Sequence, residues 1–263
     1  MLPYIGGKSF LSSWIIQNFP TNYKQMQYVE VFGGGGWVLF KKEESYLETY
    51  NDLNSHLVNL FKVIRDNYSE FAQRAEWSLH SREMYIEARE KLKDDKFLSD
   101  IEKAMHYAIQ KCQSFAGKGG WAYAVTSNKV TNGKWLPFLK RMELINARLK
   151  KVQIECLDFS AVIEKYDSPN TLFYLDPPYV DVESYYDAPG VKFRRDDHEA
   201  LAGRLKKVKG KFVLSYYEHP LVRELYANYR IITKDSVKHS AGTTRNRKSN
   251  TKPKSIELLI MNY

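Results

Sequence analysis

The chain has little cysteine and no long apolar run, and both shortages narrow the possible protein classes. Its two cysteines, Cys112 and Cys156, show no paired spacing, so the sequence predicts neither a zinc site nor a disulfide. We expect two buried, reduced thiols. No stretch approaches the roughly 20 apolar residues that span a membrane. Residues 1–8 lack the apolar core of a signal peptide, and a cytoplasmic location is therefore predicted.

Acidic residues are also missing from two long stretches, although the chain contains 31 Asp and Glu against 40 Lys and Arg. Residues 103–142 hold seven basic residues and no acid, and residues 236–256 hold six and no acid. Together these two stretches carry a charge of +13. Because the net charge of the whole chain is +9, the remainder carries −4. Such segregation predicts surfaces that face a polyanion, and nucleic acid is the simplest one. Solvated loops are the alternative.

Short apolar segments alternate with amphipathic ones and predict an α/β fold, with a mostly parallel sheet and helices on both faces. The predicted strands are 28–32, 46–50, 152–156, 171–175, 211–216, 229–233 and 256–261. The predicted helices are 9–18, 37–40, 53–66, 160–166, 198–208 and 220–226. A long helical stretch, 71–115, interrupts the alternation. We therefore predict a catalytic domain formed by 1–60 and 151–263, with an inserted helical domain at 61–150.

The tetrapeptide Asp176-Pro177-Pro178-Tyr179 directly follows the strand predicted at 171–175. Open α/β sheets bind their ligands at the carboxyl ends of strands. Because proline fixes the backbone and has no N–H, the carbonyls here are held without competing donors. A carboxylate, a fixed carbonyl and an aromatic face suit a planar amine, since they offer two acceptors for an NH2 group and a ring for stacking. A plain Pro-Pro turn is the alternative.

Four glycines, 33–36, follow the first predicted strand and allow the backbone to approach a nucleotide or nucleoside closely. Asp52 follows Gly33 by 19 positions, a distance at which an acid can bind ribose hydroxyls. Val38 breaks the glycine fingerprint typical of dinucleotide sites, which favours S-adenosylmethionine over NAD. A tight turn with a helix-capping acid is the structural alternative.

These motifs, in this order, resemble the Dam-type, alpha-group DNA adenine-N6 methyltransferases over nearly the whole chain. The matching segments are residues 3–8 (PYIGGK), 29–36 (VEVFGGGG), 51–54 (NDLN), 157–159 (LDF), 176–179 (DPPY) and 256–263 (IELLIMNY). Trp37, after four consecutive glycines, departs from the family's pattern. The resemblance implies a Rossmann-like S-adenosylmethionine-dependent methyltransferase sheet with an inserted, mostly helical target-recognition domain.

The resemblance also implies roles for individual residues. The catalytic residues would be Asp176, Pro177, Pro178 and Tyr179, which would hold the NH2 group of a flipped-out adenine and stack on its ring. The cofactor-binding residues would be Tyr4, Lys8, Phe32, Gly33, Gly35, Asp52, Asp158, Phe159 and Asp176. Three of them have simpler interpretations: Lys8 as a surface cation, Phe159 as core and Asp158 as a helix cap.

Basic and aromatic residues in the acid-free stretches are the candidate DNA contacts. Residues 114–123 (SFAGKGGWAY) predict a glycine-hinged loop or hairpin. Cations grip phosphates, aromatic rings stack on exposed bases, and arginine reads guanine edges. The candidates are Lys118, Trp121, Tyr123, Lys129, Arg245, Arg247 and Lys248. For Trp121, packing against its own helices is an equal alternative.

The predicted function is site-specific transfer of a methyl group from S-adenosylmethionine to the N6 amine of adenine in double-stranded DNA. We expect a monomer without a metal, in a restriction-modification context with a cognate endonuclease. A cytosine-N4 methyltransferase, a catalytically silent DNA-binding protein of the same fold and a nicotinamide-dependent oxidoreductase are the alternatives.

Overall fold

A seven-stranded sheet organises the computed structural model, which describes residues 7–114, 120–122, 134–186, 192–237 and 254–263. Its strands are β1 (Gln27–Glu30), β2 (Leu47–Asn51), β3 (Gln153–Glu155), β4 (Thr171–Leu175), β5 (Lys211–Tyr217), β6 (Arg230–Val237) and β7 (Lys254–Met261). They are ordered β3-β2-β1-β4-β5-β7-β6. Strands β1 to β5 pair in parallel, and β7 runs antiparallel to both β5 and β6. The predicted mostly parallel α/β sheet is confirmed.

Helices flank the sheet and connect its strands. They are α1 (Ser12–Gln17), α2 (Ser55–Asp66), α3 (Tyr68–Glu76), α4 (Arg82–Lys91), α5 (Asp100–Gln113), α6 (Trp135–Leu139), α7 (Met142–Leu149), α8 (Phe159–Tyr166), α9 (Arg195–Leu205) and α10 (Pro220–Leu225). Side-chain caps decide some of the boundaries. Asn54 accepts a hydrogen bond from the amide of Leu57, so α2 begins at Ser55 instead of the predicted position 53.

The helix predicted at 37–40 is absent, and this segment consists of turns. The amide of Phe40 bonds to the carbonyl of Gly36, as in a helix. The amide of Leu39, however, donates to the Glu30 carboxylate at 2.9 Å. This bond is compatible with a helix start, because the first amides of a helix have no intrahelical partner. The regular pattern fails at Lys41, whose amide bonds to the carbonyl of Val38, three residues back, and the hydrophobic sequence pattern cannot reveal that change.

Helices α2 to α7 form the long excursion between β2 and β3. Ser99 and Glu102 form a capping box that starts α5, and α5 packs against α2. The helices share one hydrophobic core with a face of the sheet, because Phe61 of α2 contacts the ring of Tyr50 on β2 at 5.0 Å between centroids. The predicted boundary at 60/61 falls inside α2, and the division into domains stays a prediction.

The thiols differ from the expectation in one respect. Cys112 is buried, and burial raises its pKa to about 12, but Cys156 is exposed at the end of β3. The prediction of two buried thiols is therefore wrong for Cys156, because this residue directly follows β3, an edge strand that is not covered by a neighbouring strand on its outer side. In the described part of the chain, no helix has the length and apolar character needed to cross a membrane.

Candidate active site

Asp176 lies immediately after β4, in the middle of the edge where the parallel strands have their carboxyl ends. Its Oδ1 atom accepts a hydrogen bond from the Ser215 hydroxyl at 3.0 Å and pairs with the Lys8 ammonium at 2.7 Å. Among the described residues, no side chain or amide is bonded to Oδ2. The carboxylate is 19% exposed, so it is held from one side and accessible from the other.

Lys8 is buried against this carboxylate. Its Nζ atom also lies 3.7 Å from Glu257 of β7 and 4.7 Å from the centre of the Tyr179 ring. Burial alone lowers the pKa of Lys8, but the two carboxylates outweigh burial and raise the pKa above its ordinary value. Lys8 is therefore an ammonium ion at neutral pH, and it is not the surface cation of the simpler interpretation.

Tyr179 forms part of the wall behind Asp176. Its side chain is 4% exposed, its hydroxyl donates to Glu257, and its ring packs edge-on against Tyr217 at 4.5 Å. Lys8 covers one face of the ring. Stacking of a base on that face therefore requires Lys8 to move.

The glycine turn closes the neighbouring part of the site. Gly34 and Gly36 have φ angles of +50° and +66°, which only glycine adopts without strain. Gly33 is needed for another reason: a Cβ atom there would lie 2.1 Å from the ring of Tyr50. The Tyr50 hydroxyl in turn donates to the carbonyl of Gly34 at 2.7 Å. The turn is thus built around Tyr50 and presents backbone instead of side chains to the cleft.

Asp52 is held by this turn. Its two oxygens accept hydrogen bonds from the amides of Gly34 and Asn54, each at 2.8 Å. Burial raises the pKa of its carboxyl, and the two amides oppose that rise. Each oxygen has a further acceptor position, so Asp52 can still bind a hydroxyl group.

Aromatic rings cover another side of the cleft. Phe32 stacks on Phe159 with centroids 5.8 Å apart and meets Phe193 edge-on at 5.8 Å. Asp158 caps α8 by accepting a hydrogen bond from the amide of Ser160 at 2.9 Å. Its carboxylate is exposed and also lines the cleft, so capping and ligand binding are compatible.

Glu30 is a cleft residue that the sequence motifs did not single out. It is 2% exposed, and its carboxylate accepts hydrogen bonds from the Tyr28 hydroxyl at 2.7 Å and the Leu39 amide at 2.9 Å. Burial raises its pKa to about 8, although both hydrogen bonds oppose the rise. The sequence offered one signal, an acid inside an otherwise apolar strand.

These groups surround one cleft of about 940 Å³, which includes the solvent at its mouth. The cleft brings together most of the predicted cofactor residues: Lys8, Phe32, Gly33, Gly35, Asp52, Asp158, Phe159 and Asp176. Pro178 also lines it, whereas the neighbouring Pro177 and Tyr179 are buried and are not among the lining residues. The cleft is also lined by Glu30, Leu53, Asn54 and Leu157, which lie in the matching segments but were not named as site residues. Lining residues outside those segments, which sequence analysis missed, are Trp37, Tyr186, Lys192, Phe193 and Asp197.

Most of the candidate DNA contacts fall outside the described residues. This applies to Lys118, Tyr123, Lys129, Arg245, Arg247 and Lys248, and likewise to the cofactor candidate Tyr4. Trp121 is described: it pairs with Ser114 in an antiparallel bridge, and its ring lies 5.4 Å from that of His80. The Arg82 guanidinium lies 4.9 Å from the centre of the Trp121 ring. The bridge is consistent with the predicted hairpin.

The metal-binding side chains of the described ranges do not cluster. No group of three or more His, Cys, Asp or Glu side chains is placed to hold a metal ion there. The cleft instead combines carboxylates, one buried ammonium, aromatic rings and a glycine turn. These are groups that bind an organic ligand with hydroxyls, an aromatic ring and charge.

Comparison with known proteins identifies the family. The family model of the D12 class N6 adenine-specific DNA methyltransferases matches residues 4–239. A type II methyltransferase of Lactococcus lactis subsp. cremoris, M1.LlaDCHI, is 26% identical over 279 positions, which cover 99% of this chain and 94% of the relative. The type II methyltransferase M.CviBI of Paramecium bursaria Chlorella virus NC1A is 23% identical over 212 positions, 77% of each protein. The predicted adenine-N6 methyltransferase resemblance is confirmed, and the chain belongs to the D12 class of N6 adenine-specific DNA methyltransferases.

Proposed function

We propose that this adenine-specific DNA methyltransferase takes its methyl group from S-adenosylmethionine and delivers it to an adenine flipped out of double-stranded DNA, with Asp176 as the amine acceptor. The observation that carries the proposal is the position of Asp176. It stands at the carboxyl end of β4, in the same cleft as the glycine turn and Asp52.

The cleft residues fit S-adenosylmethionine in their chemistry. Asp52 has acceptor positions left for ribose hydroxyls, and the rings of Phe32 and Phe159 offer an apolar site for the adenine. Carboxylates in the cleft suit the positive sulfonium, and the glycine turn leaves room for the methionine part. When bound, S-adenosylmethionine supplies a methyl group that its sulfonium has already activated.

Asp176 and the carbonyl of Pro177 can hold the adenine NH2 group between them. The lone pair of this amine is delocalised into the ring, so the amine is a weak nucleophile. Two acceptors orient the amine and favour localisation of its lone pair, which stabilises the transition state more than the ground state. The Oδ2 atom of Asp176, which has no partner in the described structure, is the natural acceptor. Asp176 need not be a strong base, because the amine proton becomes acidic once nitrogen is alkylated.

An adenine inside a duplex cannot present its NH2 group to a cleft at a sheet edge, so base flipping is part of the proposal. The cost of unstacking is a few kcal/mol, and aromatic stacking in the cleft offsets part of it. Tyr179 is the stacking residue that the motif suggests, and it requires displacement of Lys8. Tyr186 lines the cleft and is a second aromatic ring available there.

We further propose that the basic residues of the acid-free stretches bind the DNA. The five basic candidates, Lys118, Lys129, Arg245, Arg247 and Lys248, all fall outside the described residues, and their support is the charge pattern. The names of both relatives, type II methyltransferases, support a restriction-modification context with a cognate endonuclease.

The test is mass spectrometry of nucleosides from unmethylated DNA incubated with S-adenosylmethionine and the protein, with Asp176→Ala in parallel. We expect N6-methyladenine with the wild-type protein alone, together with cofactor binding by both proteins in calorimetry. Detection of N4-methylcytosine would show that the target base is cytosine instead of adenine. Absence of product and of cofactor binding would refute the proposed donor.

A further inference from the structure

Glu257 is a buried carboxylate that the mechanism above leaves unused. It is 1% exposed and lies near the start of β7. Because β7 runs antiparallel to β5, its first residues lie at the edge where β4 and β5 have their carboxyl ends. Glu257 is opposite Tyr217 of β5 and Lys234 of β6.

Two groups of the active site contact this carboxylate. The Tyr179 hydroxyl donates to Oε1 of Glu257 at 2.5 Å, and the Lys8 ammonium lies 3.7 Å from the same oxygen. Lys8 is closer to Asp176, at 2.7 Å. One ammonium therefore lies between two carboxylates, with Asp176 as its present partner and Glu257 within about 1 Å of hydrogen-bond distance.

Burial of Glu257 in this arrangement destabilises its charged form. A buried carboxylate without a full partner is destabilising, and Lys8 cannot compensate two carboxylates at once. Burial accordingly raises the pKa of Glu257 to about 7, even though Lys8 and the Tyr179 hydroxyl oppose the rise. Tyr179 alone could be held by an uncharged acceptor. The charge of Glu257 thus needs another explanation, and Lys8 is the cation near enough to give one.

We propose that Glu257 is a positioning residue that takes over Lys8 from Asp176 when the target amine binds, while it holds Tyr179 in the cleft wall. The inference rests on the proposed function. An ammonium on Oδ1 weakens Asp176 as an acceptor, so the amine is oriented best when Lys8 withdraws. A shift toward Glu257 keeps Lys8 paired with a carboxylate throughout. No proton or other atom is transferred in this step.

The shift depends on the ionisation of Glu257. Among the described residues, the titratable or charged groups around it are Lys8, Tyr174, Asp176, Tyr179, Tyr186, Tyr217 and Lys234. At a pH below the pKa of Glu257, about 7, its carboxyl group is protonated and cannot form an ion pair with Lys8. We therefore expect the rate of methyl transfer to rise with pH through neutrality.

The first experiment uses Glu257→Gln, which keeps an acceptor for the Tyr179 hydroxyl and removes the charge. We expect the single-turnover rate to fall roughly 10- to 100-fold, the size expected for misplacement by about 1 Å. The rise of rate near pH 7 should disappear, while the Kd of S-adenosylmethionine by calorimetry stays within about twofold. Glu257→Asp keeps the charge and should restore the pH dependence. A wild-type rate and pH profile in Glu257→Gln would overturn the proposal.

The matched control is Glu155→Gln. Glu155 also accepts a hydrogen bond from a tyrosine hydroxyl, Tyr166, at 2.6 Å and from a lysine, Lys165, at 2.7 Å, but it lies on the edge strand β3 and does not line the cleft. Its rate and pH profile should equal those of the wild type. The same loss of the neutral-pH dependence in this variant would contradict a specific role of Glu257.

A second experiment does not depend on activity. Asp176→Asn removes the competing charge, so a crystal structure of this variant should show Lys8 within hydrogen-bond distance of Glu257. Lys8 still 3.7 Å away would overturn the inference. If the wild-type protein fails to methylate DNA, the proposed function fails, and this structure still decides whether Glu257 can take over Lys8.

Discussion

Two charge clusters lie at opposite ends of the parallel strands, and they differ in how fully their carboxylates are paired. At the amino end of β2, Glu48 pairs with Lys42 and with Arg148, whose guanidinium donates a hydrogen bond to it at 2.7 Å. Glu48 also accepts a hydrogen bond from the amide of Ser45 at 3.0 Å. At the carboxyl end of β4, Asp176, Lys8 and Glu257 form the second cluster. The first contains two cations for one carboxylate, and the second contains one cation for two carboxylates.

The balance of partners distinguishes the two clusters, and we propose that only the cluster around Asp176 serves the reaction. Both oxygens of Glu48 are occupied, and Arg148 of α7 also donates to the carbonyl of Leu39 at 3.2 Å. That cluster ties the helical excursion to β2 and to the segment after the glycine turn. The cluster around Asp176 keeps an acceptor position and one cation between two carboxylates beside the cleft. Incomplete pairing is costly for folding, but it leaves groups that a substrate can engage.

The largest expected effect tests the cluster at β4. Asp176→Ala should reduce methyl transfer by at least about 100-fold, because one of the two proposed amine acceptors is lost. The free energy of unfolding should change little, since Asp176 is partly exposed and its removal relieves repulsion with Glu257. Single-turnover kinetics and chemical denaturation measure the two quantities. An active Asp176→Ala protein would contradict the acceptor role.

The second prediction tests the cluster at β2. Glu48→Gln leaves Lys42 and Arg148 buried without their carboxylate and should lower the free energy of unfolding by about 3–5 kcal/mol. Where the protein is folded, the rate per active molecule should remain near that of the wild type. Urea unfolding followed by circular dichroism gives the stability. Full stability in this variant would show that the cluster does not tie α7 to the sheet.

The smallest expected effect concerns three basic residues of the acid-free stretch 236–256. Neutralising Arg245, Arg247 and Lys248 together should weaken DNA binding without changing cofactor affinity. The slope of the logarithm of the binding constant against the logarithm of salt concentration should become shallower by up to about three. Fluorescence anisotropy at several salt concentrations measures the slope. An unchanged slope would show that these residues face solvent.

The motifs predicted the cleft well because each couples a residue type to a backbone requirement. The glycines at 33–36 demanded a close turn, and Asp176 followed an apolar segment that is indeed the fully buried β4. The helix predicted at 37–40 was wrong because the amide of Lys41 bonds to a carbonyl three residues back instead of four, which the hydrophobic pattern does not show. Tyr186 and Phe193 were missed because nothing in their local pattern indicates which way a ring points after a turn.

The sequence by itself determined the family, the mostly parallel sheet, and the placement of Asp176, Asp52 and the glycine turn at the carboxyl ends of strands. Only the tertiary structure showed that Lys8 lies between Asp176 and Glu257 and that Tyr179 is tied to Glu257. The physical reason is the separation along the chain of the residues that interact. Strand ends and turns follow from neighbouring residues, whereas the partners of a buried charge come from positions 8, 176 and 257, which the chain brings together only by completing its last strand.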